Sequence, residues 1–340
     1  MTFYFFTKVT KIVNSCVILY TQWVSAMHSK ILIYLTHPEV DAWNFKNRHL
    51  EYLKNNFPDS EFTNCLNSKE FLDRLPGADT VIVWFFKKKW LNLSKRLKLI
   101  ATPAAGKDWI EVEAKDSSQV SFGSFHGSMI AESVVGAMLY FCKAFEVSKK
   151  MQHQQKWARV KISQKISSLM AAKVTILGFG NIGVEIGKQL KPFRCSIAGV
   201  RRNLIKEPDY FDNLDKIVTP DQMKTVLQNT DHLIFALPGG QETNGVFSKD
   251  HFQHLPKRSF VYNIGRGNVY QETDLIAALR SKNIAGAYLD VFEQEPLSYN
   301  SPLWDMENVL IQPHLSAASP KYLDLYVREL AIEWKKQESQ

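Results

Sequence analysis

The run Val174-Thr175-Ile176-Leu177 has the apolar, β-branched character of a strand, and it passes directly into Gly178-Phe179-Gly180-Asn181-Ile182-Gly183. Val184 to Leu190 then reads as helix. A G-x-G-x-x-G pattern is weak alone but strong between a strand and a helix, where it cradles a dinucleotide pyrophosphate. Gly178 permits the tight turn, Gly180 lets the backbone approach the phosphates, and Gly183 lets helix pack on strand. The helix N-terminus around Asn181 and Ile182 presents free N–H groups and a positive dipole end to the anion. A purely structural glycine turn is the alternative. The next strand ends in Val200-Arg201-Arg202. About 20 residues into such a unit a carboxylate normally accepts the ribose 2′-hydroxyl, whereas arginine accommodates a 2′-phosphate. Arg201 and Arg202 therefore favour NADP over NAD, two solvated arginines being the plainer reading.

Three stretches of the last third carry residue types suited to reversible hydride transfer: Asn263-Ile264-Gly265-Arg266-Gly267, Leu289-Asp290-Val291-Phe292-Glu293-Gln294-Glu295-Pro296, and Gln312-Pro313-His314. In order and spacing they resemble the three motifs of the D-isomer-specific 2-hydroxyacid dehydrogenases. The resemblance runs through nearly everything after Met27, is dense from Lys173 to Ala318, and is greatest to the glyoxylate/hydroxypyruvate reductases. It implies NADPH-dependent reduction of a small 2-keto acid, glyoxylate or hydroxypyruvate, to the D-2-hydroxy acid or glycolate. His314 would give the proton to the developing alkoxide. Glu295, in register with the family's partner carboxylate where Glu293 is not, would orient the imidazole and favour its protonated form. Arg266 offers a planar fork that can hold a carboxylate and polarise the carbonyl, which lysine would do less well. Asp290 resembles the family's carboxamide-orienting aspartate, though it could instead cap a turn.

By the same resemblance Ala104-Ala105-Gly106-Lys107-Asp108 is the loop whose Ala105 and Gly106 N–H groups bind the substrate carboxylate, small residues allowing close approach to the main chain. Leu237, Pro238 and Ile264 would line the cofactor. Two departures stand out: Pro103, which has no N–H, and Gly239-Gly240-Gln241, where the family has bulkier residues beside the cofactor.

These residues must be held by a doubly wound α/β scaffold. Strand-like runs recur at Ile31 to Leu35, Thr80 to Trp84, Val174 to Leu177, Ser196 to Val200, His232 to Leu237, Ser259 to Ile264, Ala285 to Val291 and Asn308 to Ile311, most of them separated by helical stretches such as Glu51 to Asn56. That alternation argues for parallel sheets. One long helix is expected from Ile130 to about Val147, because Ile130, Val134, Met138, Phe141 and Phe145 recur at helical spacing. Ser319-Pro320 reads as N-cap and first turn of a last helix bearing Leu323, Val327, Leu330 and Trp334. The reading is two Rossmann-like domains with an interdomain cleft. An N-terminal extension, 1–28, precedes a substrate domain of 29–122 plus 315–340 and a dinucleotide-binding domain of 123–314.

At 340 residues, 45% hydrophobic and 22% charged, the chain can bury about two cores, and its 16 glycines and 13 prolines exclude collagen-like or low-complexity disorder. The net charge of +8 suits nucleic acid, anionic lipid or a small anionic ligand alike, but its basic clusters, Lys87-Lys88-Lys89 and Lys149 through Lys165, match no nucleic-acid motif and read as solvated surface. Cys16, Cys65, Cys142 and Cys195 lie far apart, which speaks against a disulfide framework or zinc site and for a reducing, cytoplasmic setting. His251 and His254 have no third ligand in reach, so no metal is expected. The Ile12 to Tyr20 run is too short to span a bilayer. Val24-Ser25-Ala26 has the look of a signal-peptide cleavage site, an upstream extension being preferred. The resemblance implies a homodimer built around the Ile130 helix and a small 2-keto acid as the partner, with neither nucleic acid nor membrane. A corepressor-like, dinucleotide-sensing binding protein of the same fold, or a dehydrogenase of another 2-hydroxy acid, are the rival readings.

Overall fold

Every strand pairing among the described residues is parallel. The structure is a computed structural model describing residues 30–112 and 119–338. The N-terminal extension, with Cys16 and Val24-Ser25-Ala26, lies outside the described residues. The chain divides into two units, one of Met1–Phe125 with Ser319–Gln340 and one of His126–Ala318.

The first unit carries a five-stranded sheet: β1 (Lys30–Tyr34), β2 (Glu61–Asn64), β3 (Thr80–Val83), β4 (Leu99–Thr102) and β5 (Gln119–Phe122), ordered β2-β1-β3-β4-β5. Strands β3 and β4 are buried along their whole length, as parallel strands covered on both faces must be. The sequence reading missed β2, β4 and β5. β2 is an edge strand with one buried residue, and β5 is only half-buried throughout, so neither shows a strong apolar run. The helix expected over Glu51 to Asn56 begins earlier, at Asn47, where the His49 ring accepts the Lys46 N–H. The helix Tyr322–Glu338 returns to this unit and buries Leu323, Val327, Leu330 and Trp334. It starts later than the Ser319-Pro320 pair implies, because the Ser319 hydroxyl accepts the Lys321 N–H in a separate turn just ahead of it.

The second unit has seven strands: β6 (Lys173–Leu177), β7 (Ser196–Val200), β8 (Lys216–Val218), β9 (His232–Phe235), β10 (Phe260–Asn263), β11 (Gly286–Leu289) and β12 (Val309–Ile311). Their order is β12-β11-β10-β9-β6-β7-β8. The winding reverses between β6 and β9, and the carboxyl ends of strands beside such a reversal are where open α/β sheets bind ligands. The one long helix expected from Ile130 to Val147 is two, Gly127–Cys142 and Phe145–His153, bent by 60°. Ala144 adopts φ +50° at the break, and Phe145, which opens the next helix, is exposed where Ile130, Val134, Met138 and Phe141 are buried. Ile130, Val134 and Met138 are buried within this unit against residues of β6 and of the helix Asn181–Leu190. Among the described residues no single helix is long and apolar enough to cross a membrane.

Candidate active site

Gly178 sits at φ +95°, and a Cβ there would fall 2.5 Å from the Ala236 carbonyl oxygen, so only glycine lets the turn after β6 pass the end of β9. A Cβ on Gly183 would meet the Gly178 carbonyl at 2.6 Å and the Ile176 side chain at 3.1 Å, so the helix Asn181–Leu190 seats directly on the strand. Nothing lies within 4 Å of the corresponding position on Gly180. The turn is thus closed on its inner side and open where a phosphate would approach, at the N-terminus of a ten-residue helix that begins with Asn181 and Ile182.

Arg201 follows β7 and is half-buried; its Nη1 donates to the Phe179 carbonyl of the glycine turn at 3.2 Å, while its Nε is buried without a partner. An orphaned guanidinium donor beside the turn fits a phosphorylated ribose. Arg202 is exposed and pairs with Glu242 at 2.6 Å.

The loops after β10, β11 and β12 gather the other side chains. Asn263, wholly buried at the end of β10, donates through Nδ2 to the Arg266 carbonyl and the Tyr270 hydroxyl, each at 3.0 Å, and accepts the Gly265 N–H through Oδ1 at 3.1 Å. It therefore pins the loop bearing Arg266, whose Nη1 donates to the Gly265 carbonyl at 2.8 Å. Gly267 passes the Phe292 backbone so closely that a Cβ would lie 1.9 Å from the carbonyl carbon. Ile264 is buried, and Gly265 packs on the Leu237 backbone just ahead of Pro238.

His314 Nδ1 lies 2.8 Å from Glu295 Oε2, and Glu295 Oε1 accepts the Phe292 N–H at 3.1 Å. Both side chains are partly exposed. The hydrogen bond to Glu295 raises the His314 pKa against the opposing effect of burial, with the charges of Glu295 and Asp290 adding and that of Arg266 subtracting. Burial pushes the Glu295 carboxyl up, but His314, the Phe292 N–H and the Arg266 charge together hold it below the usual carboxylate range. Glu293 is exposed and lends its backbone N–H to the Glu272 carboxylate.

Asp290, directly after β11, is almost completely buried, and its carboxylate accepts the N–H groups of Leu315 at 2.7 Å and Ser316 at 3.0 Å. These bonds cap the loop that follows His314. Burial moves its carboxyl upward, opposed by those bonds and by the charge of His314.

In the first unit Ala105 and Gly106 follow β4 on a surface turn, and neither backbone N–H has a partner among the described residues. Pro103 is buried, and its carbonyl takes the Tyr322 hydroxyl at 3.3 Å, which fixes the loop without the N–H that proline lacks. The sequence reading missed the part played by Asn263. The available signal for Asn263 was a polar residue closing an apolar strand run ahead of a glycine loop. Among the described residues no group of three or more His, Cys, Asp or Glu is placed to hold a metal ion. His251 caps its own helix by accepting the Ser248 N–H, and His254 lies against the Asp250 carbonyl.

A doubly wound sheet whose reversal point carries this glycine turn places the His126–Ala318 unit among the dinucleotide-binding folds. A family signature described as "D-isomer specific 2-hydroxyacid dehydrogenase, NAD binding domain" matches residues 135–316, and the chain belongs to that family. It is 29% identical over 255 residues to glyoxylate/hydroxypyruvate reductase A of Salmonella typhimurium, covering 71% of this chain and 78% of that protein. To D-3-phosphoglycerate dehydrogenase of Archaeoglobus fulgidus it is 25% identical over 276 residues, 79% of this chain; the match spans only about half, 51%, of that relative. Among solved structures, a D-isomer specific 2-hydroxyacid dehydrogenase family protein of Aeromonas salmonicida superposes with TM-score 0.75 at 26% identity, over 91% of this chain and 96% of the other. An NADPH-dependent glyoxylate/hydroxypyruvate reductase of Sinorhizobium meliloti, in complex with NADP and sulfate, shares the fold at TM-score 0.74 and 22% identity, over 91% and 96%.

Proposed function

We propose that the chain is an NADPH-dependent reductase of a small 2-keto acid, glyoxylate or hydroxypyruvate, yielding glycolate or the D-2-hydroxy acid. The observation that carries this reading is the His314–Glu295 pair, 2.8 Å apart, beside the Asn263-pinned loop of Arg266. A reduced nicotinamide supplies the hydride when bound. His314, oriented through Nδ1 by Glu295 and kept protonated by it, gives its Nε2 proton to the alkoxide as it forms. Arg266 holds the substrate carboxylate and draws charge onto the carbonyl oxygen. In the other unit, the unpartnered N–H groups of Ala105 and Gly106 are donors of the kind a carboxylate accepts. Gly178, Gly180 and Gly183 with the Asn181 helix terminus receive the pyrophosphate, and Arg201 with Arg202 the 2′-phosphate. The relatives named as glyoxylate/hydroxypyruvate reductases, one of them NADPH-dependent, support the substrate and cofactor.

The test is NADPH turnover with a panel of 2-keto acids. Glyoxylate or hydroxypyruvate should lead, and His314→Ala should lower kcat by about 10²–10⁴-fold, the usual loss when a general acid is removed. Undiminished kcat in that variant, or no turnover of any 2-keto acid, would refute the reading. A homodimer belongs to the same proposal. It would be built around the Ile130 helix, and in the segment that follows this helix Phe145, Trp157, Val160 and Met170 are exposed apolar side chains that can extend such a surface. Light scattering decides between dimer and monomer.

A further inference from the structure

The sheet order β9-β6-β7 places the glycine turn that follows β6 between the segments following β7 and β9. Arg202 stands on the first of those segments and Glu242 on the second, and their side chains meet across the line of β6, Nη1 to Oε2 at 2.6 Å. The pair thus joins the two segments flanking the phosphate cradle.

Glu242 is carried on a built turn. The Thr243 N–H closes it onto the Gly240 carbonyl at 3.3 Å, and the buried Thr243 hydroxyl donates to the Pro238 carbonyl at 2.7 Å. Gly240 has φ +141°, a backbone region that side-chain-bearing residues rarely adopt. Just beyond, the Gly245 N–H donates to the Asn268 carbonyl at 2.9 Å. This turn presents a carboxylate to the second of the two arginines.

We propose that Glu242 is a specificity-determining residue that competes with the ribose 2′-phosphate for Arg202 and so sets how strongly NADPH is preferred to NADH. The proposal rests on the NADPH reading above. A 2′-hydroxyl leaves the Arg202–Glu242 pair intact. A 2′-phosphate, with about −1.5 to −2 charge at neutral pH, takes the Arg202 guanidinium for itself and leaves the Glu242 carboxylate as a like charge nearby. Arg201 differs in kind, since its buried Nε has no protein partner to give up.

The test is calorimetric binding of adenosine 2′,5′-bisphosphate and of 5′-AMP to the full chain. Glu242→Gln should tighten the bisphosphate by about three- to tenfold at low salt, the scale of an exposed ion pair lost plus a repulsion relieved, and move 5′-AMP far less. Because both side chains are solvent-exposed, the gain should shrink as salt is added. In an Arg202→Gln background the same substitution should gain less, since there is no guanidinium left to release. An undiminished gain in that background, or equal tightening of both ligands, overturns the competition. If the unsubstituted chain prefers the bisphosphate and Glu242→Gln leaves that affinity unchanged, the role of Glu242 falls and the NADPH reading stands. If the unsubstituted chain shows no preference and Glu242→Gln creates none, both fall.

Discussion

The backbone carbonyl of Asp290 accepts the amide of His314 at 2.8 Å, and the Asp290 carboxylate takes the amides of the next two residues. Together these bonds hold His314 at φ +54°, a left-handed conformation that costs a residue with a side chain on the order of 1–3 kcal/mol. Asp290→Ala should therefore both loosen the loop and remove a charge that favours the imidazolium. We expect a stability loss on the order of 3 kcal/mol from two buried amides left unbonded, and at least a tenfold fall in kcat. The fall of reductase activity at alkaline pH should also move to lower pH, which loosening alone would not cause. Thermal unfolding and a kcat/KM pH profile read the two effects separately.

Glu295→Gln isolates the charge. The His314 pKa is raised by its bond to Glu295, so the imidazolium persists to higher pH than an unpaired histidine would allow. If His314 is the proton donor proposed above, reduction draws on the protonated ring; its rate should hold below the folded pKa of His314 and decline as pH rises through it. In Glu295→Gln that decline should come at lower pH, while the reverse oxidation, which needs neutral imidazole, should begin at lower pH. Coincident pH profiles for the two proteins would remove Glu295 from its assigned role.

Gly267→Ala tests the route of the Arg266 loop. An added methyl would lie 1.9 Å from the Phe292 carbonyl carbon and 2.3 Å from the Glu293 nitrogen, and backbone cannot yield as a side chain does. The expected loss is about 3 kcal/mol, at the upper end of overpacking costs, with KM for the keto acid raised through displacement of Arg266. Chemical denaturation and steady-state kinetics check this.

Acid stability should depend on His232, which is buried at the start of β9 with Nδ1 2.9 Å from the Tyr262 hydroxyl. Burial lowers its pKa to about 4. The unfolded chain takes up that proton near pH 6.5 and the folded chain only near pH 4. The stability is therefore complete above about pH 6.5 and is lost progressively as pH falls toward 4, about 3 kcal/mol in all. Denaturation free energies measured at pH 7 and pH 5 should differ less in His232→Phe than in the unsubstituted chain, although that variant starts lower because Tyr262 loses its partner.

The sequence by itself determined the strands of the larger sheet, apart from the short β8, and the glycine turn. The inner strands β9 and β11 are buried along their whole length and β6 and β10 along all but their first residue, and burial on both faces favours the short, mostly apolar runs by which they were read. Gly178 and Gly183 were legible because a closed backbone approach admits only one residue type. His314, Glu295 and Arg266 were legible as candidates because their motifs are local in the chain. What sequence order could not carry is contact between residues far apart in it, and those contacts fix the geometry. That the Asp290 carboxylate takes amides of the loop after β12 becomes visible only once β11 and that loop lie side by side. The long apolar period from Ile130 onward conceals a bend at Ala144, because side-chain spacing records the face a helix buries and not its axis. Arg202 and Glu242 are 40 positions apart and become partners only because β6 is inserted between the strands that lead to them.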